Sequence, residues 1–362
     1  FIVFGWLMYI MLSPSEFVIL STNDMHASLD NMARLATAVK ECRDTVFTVV
    51  VDAGDRWTGN AYVDLAEGRK PIIRLMNAIG YDVAALGNHD FDPGQQVLDE
   101  AIGDSEFTYL CANMTSEGKW LRGVEASKRI VTPEGVAIDF VGVVTSYSNG
   151  HPDGNDNNFE GLKFEDPQVV AERECGKSNG DVKVLLSHMG DDRDFALASR
   201  FGGYDILIGG HTHKVLDTLV NGTTMGQTGR KLKVVGATRV KMRGSKILSV
   251  EYENIPLKDY AEDGEVKAVI KEIEANPALQ RVVGSMAHST NHVGLCNLQT
   301  KIIKEATAAE VGIYHRGGVR IIEGLPEGDV TVKDLFDNEP FFSQVHLVEM
   351  TTAQLRKLIV EK

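Results

Sequence analysis

A chain of 362 residues, 43 % of them hydrophobic and 24 % charged, has the composition of an ordinary globular protein with enough apolar material for a sizeable core. Its formal net charge of -14 and pI of about 5.2 argue against nucleic-acid polymers and anionic membranes as partners, although clustered cations or metal ions can still attract a small phosphate. Four cysteines, Cys42, Cys111, Cys175 and Cys296, form no CxxC pair and no dense framework, which argues against a disulfide-stapled scaffold.

Residues 1–12, FIVFGWLMYIML, are nearly all apolar and precede Ser13, Pro14 and Ser15. The run is too short to span a bilayer and fits the apolar part of a secretory signal. Residues 1–15 are therefore expected to be a signal remnant on an exported, periplasmic or cell-surface protein. No other segment approaches transmembrane length. From Glu16 onward, short β-branched runs alternate with helical patterns. The strand-like runs are EFVILS, TVFTVVVDA, DVAALG, FTYLCA, VAIDFVGVV, VKVLLS and YDILIGG; the helical ones are Asn31 to Cys42, Lys70 to Ile79 and Gly94 to Ala101. This alternation predicts an α/β sandwich with largely buried strands. Residues 215–257 read as hairpins with glycine-bearing turns. Residues 262–276 have helical amphipathic spacing and stop at Asn276-Pro277, which predicts a linker helix within 259–282. Beyond it, 297–305 reads as a helix, EVGIYH (310–315) as a strand and GGVR as a tight loop, in a second domain over 283–362.

Five polar clusters follow strand-like runs: Asn23-Asp24-Met25-His26, Asp52-Ala53-Gly54-Asp55, Gly87-Asn88-His89-Asp90-Phe91-Asp92, Ser187-His188-Met189-Gly190 and Gly209-Gly210-His211-Thr212-His213. Strand carboxyl ends form the ligand-binding edge of α/β sheets, so five segments are expected to deliver Asp, Asn and His to one rim. His26, His188, His211 and His213 offer nitrogen; Asp24, Asp55 and Asn88 offer oxygen. That mixture suits zinc, manganese, iron or cobalt better than magnesium or calcium, and seven donors with one shared suffice for two ions. In the DxH and HxH spacings, residues i and i+2 of an extended segment point to one side. A single strand-end histidine is more often structural than a ligand; the joint occurrence in five ordered clusters is what favours a metal site. His151, His288, His292, His315 and His346 lie outside the clusters and read as structural or surface residues. The acidic run Asp153 to Asn158 reads as a solvated loop in preference to a calcium site.

DMH, DAGD, GNHD, SHMG and GGHTH, in that order, resemble the calcineurin-like metallophosphoesterase superfamily, and the strings STNDMH, GNHDFD and GGHTH resemble its 5′-nucleotidase and UDP-sugar hydrolase branch. The resemblance runs from about residue 16 to 350. It implies a metallophosphoesterase β-sandwich flanked by helices over 16–258, followed by a smaller, partial α/β substrate domain. It also implies one ion held by Asp24, His26, Asp55 and His213, and a second held by Asp55, Asn88, His188 and His211, with Asp55 bridging. His89 and Asp92 match the family's catalytic pair. Asp52 and Asp90 fall outside the implied ligand set and read as residues supporting the ligands or facing solvent.

The same resemblance makes Gly317-Gly318-Val319-Arg320 a phosphate-binding loop, with Arg320 as the clamp, and Phe341 a base-stacking ring. The usual arginines are missing from 282–296, and His315-Arg316 replaces Asn-Gly before the loop. The implied activity is hydrolysis of a small phosphate monoester, most directly a nucleotide, with no protein partner evident. The alternatives are a cyclic nucleotide, a nucleotide sugar, a sugar phosphate or a thiosulfate-carrying protein as substrate, or a catalytically silent binding protein, which an intact His89–Asp92 pair argues against.

Overall fold

The computed structural model describes residues 14–116, 121–341 and 343–360. The apolar run 1–12 lies outside them. The chain divides into two compact units, the first ending at Asn276 and the second beginning at Pro277.

The first unit is an α/β sandwich. Its strands are β1 (Ser15–Thr22), β2 (Phe47–Asp52), β3 (Val83–Ala85), β4 (Thr108–Leu110), β5 (Met114–Ser116), β6 (Val124–Glu125), β7 (Ser127–Val131), β8 (Ala137–Val144), β9 (Leu162–Phe164), β10 (Val182–His188), β11 (Ile206–Gly209), β12 (Val215–Val220), β13 (Thr223–Thr228), β14 (Val234–Arg243) and β15 (Lys246–Pro256). Its helices are α1 (Met32–Arg43), α2 (Ala61–Asp64), α3 (Lys70–Ile79), α4 (Gln95–Asp104), α5 (Pro167–Lys177), α6 (Asp191–Arg200) and α7 (Gly264–Glu274). Seven strands form one sheet in the order β15-β14-β1-β2-β3-β4-β6, and six form the other in the order β12-β13-β11-β10-β8-β7. One core cluster joins the two sheets: Phe17, Ile19, Val49, Val51 and Val83 from the first sheet meet Phe140, Val184, Leu186 and Ile208 from the second, all essentially without solvent exposure. These β-branched and aromatic residues alternate along their strands, so each strand delivers every second side chain to the space between the sheets.

β1, β2, β3 and β4 are parallel, and so are β8, β10, β11 and β13. The parallel pairs are reached by crossovers, most of them helical, which place successive strand carboxyl ends on one side. The clusters after β1, β2 and β3 thus come from one sheet and those after β10 and β11 from the other. The expected single rim is in fact an edge shared by two sheets.

The segment read as a linker is built differently. Asp263 caps α7 by accepting from the backbone N–H groups of Glu265 and Val266 at 3.1 and 3.0 Å. Its helix packs on α1 and α3, buries Val266 and is tied by Lys40–Asp263 and Arg74–Glu272 ion pairs. It is part of the first unit because its apolar stripe already has a partner there.

The second unit pairs β16 (Val282–Met286) with β17 (Gly328–Thr331) and adds α8 (His292–Thr307), α9 (Val332–Asn338) and α10 (Thr352–Val360). Leu295, Cys296 and Val319 form its small core. The stretch EVGIYH, expected as a strand, is irregular, because no described neighbouring strand offers it a ladder. The expected helix at 297–305 starts earlier, at His292, where the Asn291 side chain accepts from the Gly294 N–H at 3.0 Å. Among the described residues no helix is long and apolar enough to cross a membrane.

Candidate functional site

The sheet edge gathers all seven residues expected as ligands. His188 is the last residue of β10, and the other six lie in segments that follow the end of a buried strand, so packing of the strands fixes where these segments start. The loops then bend through conformations that most residues avoid. Asp24, His26, Asp55, His211 and His213 have φ of 48°, 46°, 61°, 77° and 57°. Such left-handed non-glycine residues cost about 1–3 kcal/mol each and concentrate at functional sites. Glycines provide the close approaches. A Cβ on Gly87 would lie 2.2 Å from Asp55 Oδ1, and one on Gly54, at φ 97°, would lie 2.6 Å from the Gly87 nitrogen.

Two sets of ligand atoms converge: Asp24, His26 and His213 in one, and Asp55, His188 and His211 in the other, with all the atoms of a set within 4.8 Å of one another. His213 Nε2 is 3.5 Å and His26 Nε2 3.9 Å from Asp24 Oδ1. His188 Nε2 is 3.1 Å from Asp55 Oδ2 and 4.0 Å from Asp24 Oδ1, so the sets are adjacent. Asn88 Oδ1 lies 3.0 Å from His211 Nδ1.

The tautomers show what these atoms need. His188 Nδ1 donates to the Ala53 carbonyl at 2.6 Å, because a carbonyl can only accept. Nε2 of the same ring is then turned toward the Asp55 carboxylate, close to it but out of line for a hydrogen bond, and fully buried. His26 Nδ1 likewise donates to the Thr58 carbonyl at 3.1 Å, which leaves its Nε2 facing His213 Nε2 at 2.9 Å. Converging lone pairs repel one another unless a proton or a metal ion sits among them. The donor set, its buried unsatisfied nitrogen and the outer hydrogen bonds that orient both rings fit a metal ion in each set. Electrostatics point the same way. Burial opposes ionisation of Asp55, but His188, His89 and His26 outweigh it and hold the carboxyl well below its usual range. Burial pushes His188 down, while the Asp55 carboxylate outweighs it and raises the ring to about 10.

His89 and Asp92 stand beside these sets. His89 Nδ1 donates to Asp92 Oδ2 at 2.7 Å, and the same oxygen accepts from Thr58 Oγ1 at 2.6 Å. The His89 backbone N–H donates to Asp55 Oδ1 at 2.8 Å, and its ring meets the His26 ring edge-on at 5.3 Å. Both side chains are only partly buried.

Asp52 and Asp90 are completely buried, which removes the solvent-facing reading. Between them lies a residue that the motif reading passed over. The Arg56 guanidinium is also fully buried, with Nη2 3.3 Å from Asp52 Oδ1 and Nη1 3.1 Å from Asp90 Oδ2, over the Tyr109 ring. Asp90 Oδ2 accepts from the Gly87 and Asp55 N–H groups at 2.8 and 3.2 Å, and Oδ1 from the Arg56 N–H at 3.0 Å. One ion triad thus locks two ligand loops together. Burial raises Asp90, and raises Asp52 to about 7. Asp64 does a similar job for the loop bearing Thr58, accepting from the N–H groups of Thr58, Gly59 and Asn60 at 2.9, 2.7 and 3.0 Å. Gln227 Nε2 donates to the Gly210 carbonyl at 2.7 Å and anchors the loop of His211 and His213. Arg56 follows DAGD and could have been noticed; Asp64 and Gln227 carry no local signal.

The other expectations fall elsewhere. Arg320 and Phe341 lie in the second unit, where the guanidinium carbon is 5.6 Å from the ring centroid. His292 Nε2 donates to the Val319 carbonyl at 2.9 Å, a structural use. The run 153–158 contains a short turn capped by Asn155, as a loop would.

The calcineurin-like phosphoesterase family model matches residues 17–215, and the model of the 5′-nucleotidase C-terminal domain matches residues 269–362. The Bacillus subtilis trifunctional nucleotide phosphoesterase protein YfkN is 26 % identical over 95 % of this chain and 27 % of its own length. Bovine 5′-nucleotidase is 30 % identical over 59 % of this chain and 41 % of its own. The chain thus spans well under half the length of these relatives. The crystal structure of a 5′-nucleotidase precursor from Thermus thermophilus superposes with a TM-score of 0.78 at 20 % identity, covering 90 % of this chain and 74 % of that one, which establishes a shared fold. With more than half its length matched and the five motifs gathered at one edge, the chain belongs to the calcineurin-like phosphoesterase family.

Proposed function

We propose that this chain hydrolyses phosphate monoesters with two divalent metal ions, and that nucleoside 5′-monophosphates are its leading substrate. The reading rests on two adjacent ligand sets beside a hydrogen-bonded His89–Asp92 pair, and on relatives that are nucleotide phosphoesterases and 5′-nucleotidases. Asp24, His26 and His213 would hold one ion; His188, His211 and Asn88 would hold the other; Asp55 would be shared. Zinc or manganese suits this mixture best, with iron or cobalt as substitutes. Two such ions activate water and neutralise charge on the phosphoryl group.

The remaining work falls to side chains. Asp92 and Thr58 fix the His89 ring, with the proton on Nδ1, and the Asp92 charge favours the protonated imidazole. His89 Nε2 can then donate to a phosphoryl oxygen and pass its proton to the departing alkoxide as the phosphorus–oxygen ester bond breaks. Arg320 is proposed to grip a substrate phosphate, and Phe341 to stack on the base.

Metal analysis of protein purified without chelators should find close to two ions per chain, and Asp55→Ala should lose metal as well as rate. Folded protein that binds none would remove the basis of the proposal. Hydrolysis of nucleoside monophosphates, cyclic nucleotides, nucleotide sugars and sugar phosphates, with and without manganese, identifies the substrate. Arg320→Ala is expected to lower kcat/KM for nucleoside monophosphates about 10- to 100-fold, from one lost charged hydrogen-bond pair. The loss should be smaller for para-nitrophenyl phosphate; equal losses would deny Arg320 a selective role.

A further inference from the structure

The first unit contains a cavity of about 620 Å³ lined by Tyr147, Phe164, Asp166, Asp192, Arg193 and His211, among others. Its size is that of a small-molecule site. It abuts the metal-ligand sets directly, because Tyr147 Oη lies 3.1 Å from His211 Nε2.

Apart from His211, its walls are built by residues with no place in the hydrolytic reading. Tyr147 sits on a turn in which its N–H donates to the His151 carbonyl at 3.2 Å and its carbonyl accepts from Gly150 N–H at 2.9 Å. His151 plugs that turn into the body of the unit. Its ring stacks on Phe159 at 4.5 Å, Nδ1 donates to the Pro152 carbonyl at 2.7 Å, and Nε2 lies 3.3 Å from Asp156 Oδ1. Asp156 of the acidic loop 153–158 thus meets the ring that holds this turn, and Tyr147 itself remains 43 % exposed. Opposite, Arg193 donates to the Ser146 carbonyl at 3.1 Å and lies 3.5 Å from Asp166 Oδ2. Asp192, in the first turn of α6, is exposed and lines the cavity.

We propose that this cavity receives the sugar of the substrate's leaving group. The inference rests on the phosphomonoesterase reading. Arg193 is paired with Asp166, while Asp192 stands exposed at the cavity wall as a carboxylate that a ligand can reach. Carboxylates accept from sugar hydroxyls, serine hydroxyls donate to them or accept from them, and the exposed Tyr147 ring offers a flat face to the sugar's C–H groups. The first unit then carries its own specificity subsite.

Two measurements test this on the full chain. With manganese added, Asp192→Ala should lower the ratio of kcat/KM for ribose 5-phosphate to that for para-nitrophenyl phosphate about tenfold, mainly through KM, the size expected for one hydrogen bond to a charged group. An unmoved ratio overturns the subsite. Saturation-transfer NMR with methyl β-ribofuranoside needs neither metal nor turnover. Signal transfer should be seen with the native chain and should be lost in Asp192→Ala and Tyr147→Ala. Absence of transfer to the native chain also overturns the proposal. Sugar binding that depends on Asp192, in a protein that hydrolyses no monoester, would sustain the subsite and defeat the proposed function.

Discussion

Replacing His89 by Asn is expected to lower kcat by about 10²- to 10⁴-fold, the usual contribution of a positioned general acid or base, while both proposed metal ions stay bound. The His89 ring is in neither ligand set; its contacts include Asp92 through Nδ1 and the edge of the His26 ring. Asparagine can keep a hydrogen bond near Asp92 but cannot carry a proton. Asp92→Asn should act in the same direction and less severely, since the ring loses the charge that favours its protonated form while the Thr58 contact can be kept. Steady-state rates and metal content measured on the same preparations decide the matter. A His89→Asn protein that has lost an ion would show His89 to be a ligand; one with full activity would show that the pair has no part in the chemistry.

Removing the Arg56 charge is expected to cost the site much of its stability. Arg56→Met leaves Asp52 and Asp90 buried without their counter-ion, and breaking a buried ion group in this way typically costs about 3–5 kcal/mol. For a unit of this size that corresponds to a fall in Tm of roughly 6–20 °C. Loss of metal affinity should follow, because Asp90 holds the Gly87 and Asp55 backbones. The deficit should also depend on pH. Burial already raises Asp52 to about 7 with Arg56 in place, so the folded state binds more protons than the unfolded one between about pH 4 and 7. Stability on this account falls as pH rises through that window. Without Arg56 the carboxyl moves higher still, so the variant should recover part of its deficit near pH 5 and suffer most at pH 8. Thermal melts across that range check the sign. A variant as stable as the parent would mean that Arg56 only fills space.

Much of this site could be read locally. Strand ends are visible where β-branched runs stop, and Asp24, His26, Asp55, Asn88, His188, His211 and His213 stand within a few residues of them. A motif is a short-range object: residues i and i+2 travel together whatever the fold does, so DMH and GGHTH predict convergence before any packing is known. The helices at Lys70–Ile79 and Gly264–Glu274 were legible for the same reason, through a repeating apolar stripe.

The sequence by itself therefore determined the α/β class, the ligand chemistry and the catalytic pair as candidates. Tertiary structure alone decided what depends on partners distant along the chain. It divided the ligand loops between two sheets, and it gave α7 to the first unit because α1 and α3 cover its apolar face. It withheld a strand from EVGIYH, which has no described neighbour to complete a ladder. It also put Arg56 between two buried acids, Asp64 beneath the Thr58 loop and Tyr147 against His211. None of these pairings leaves a periodic trace, because a buried charge is tolerated only where its counter-ion arrives from elsewhere in the fold.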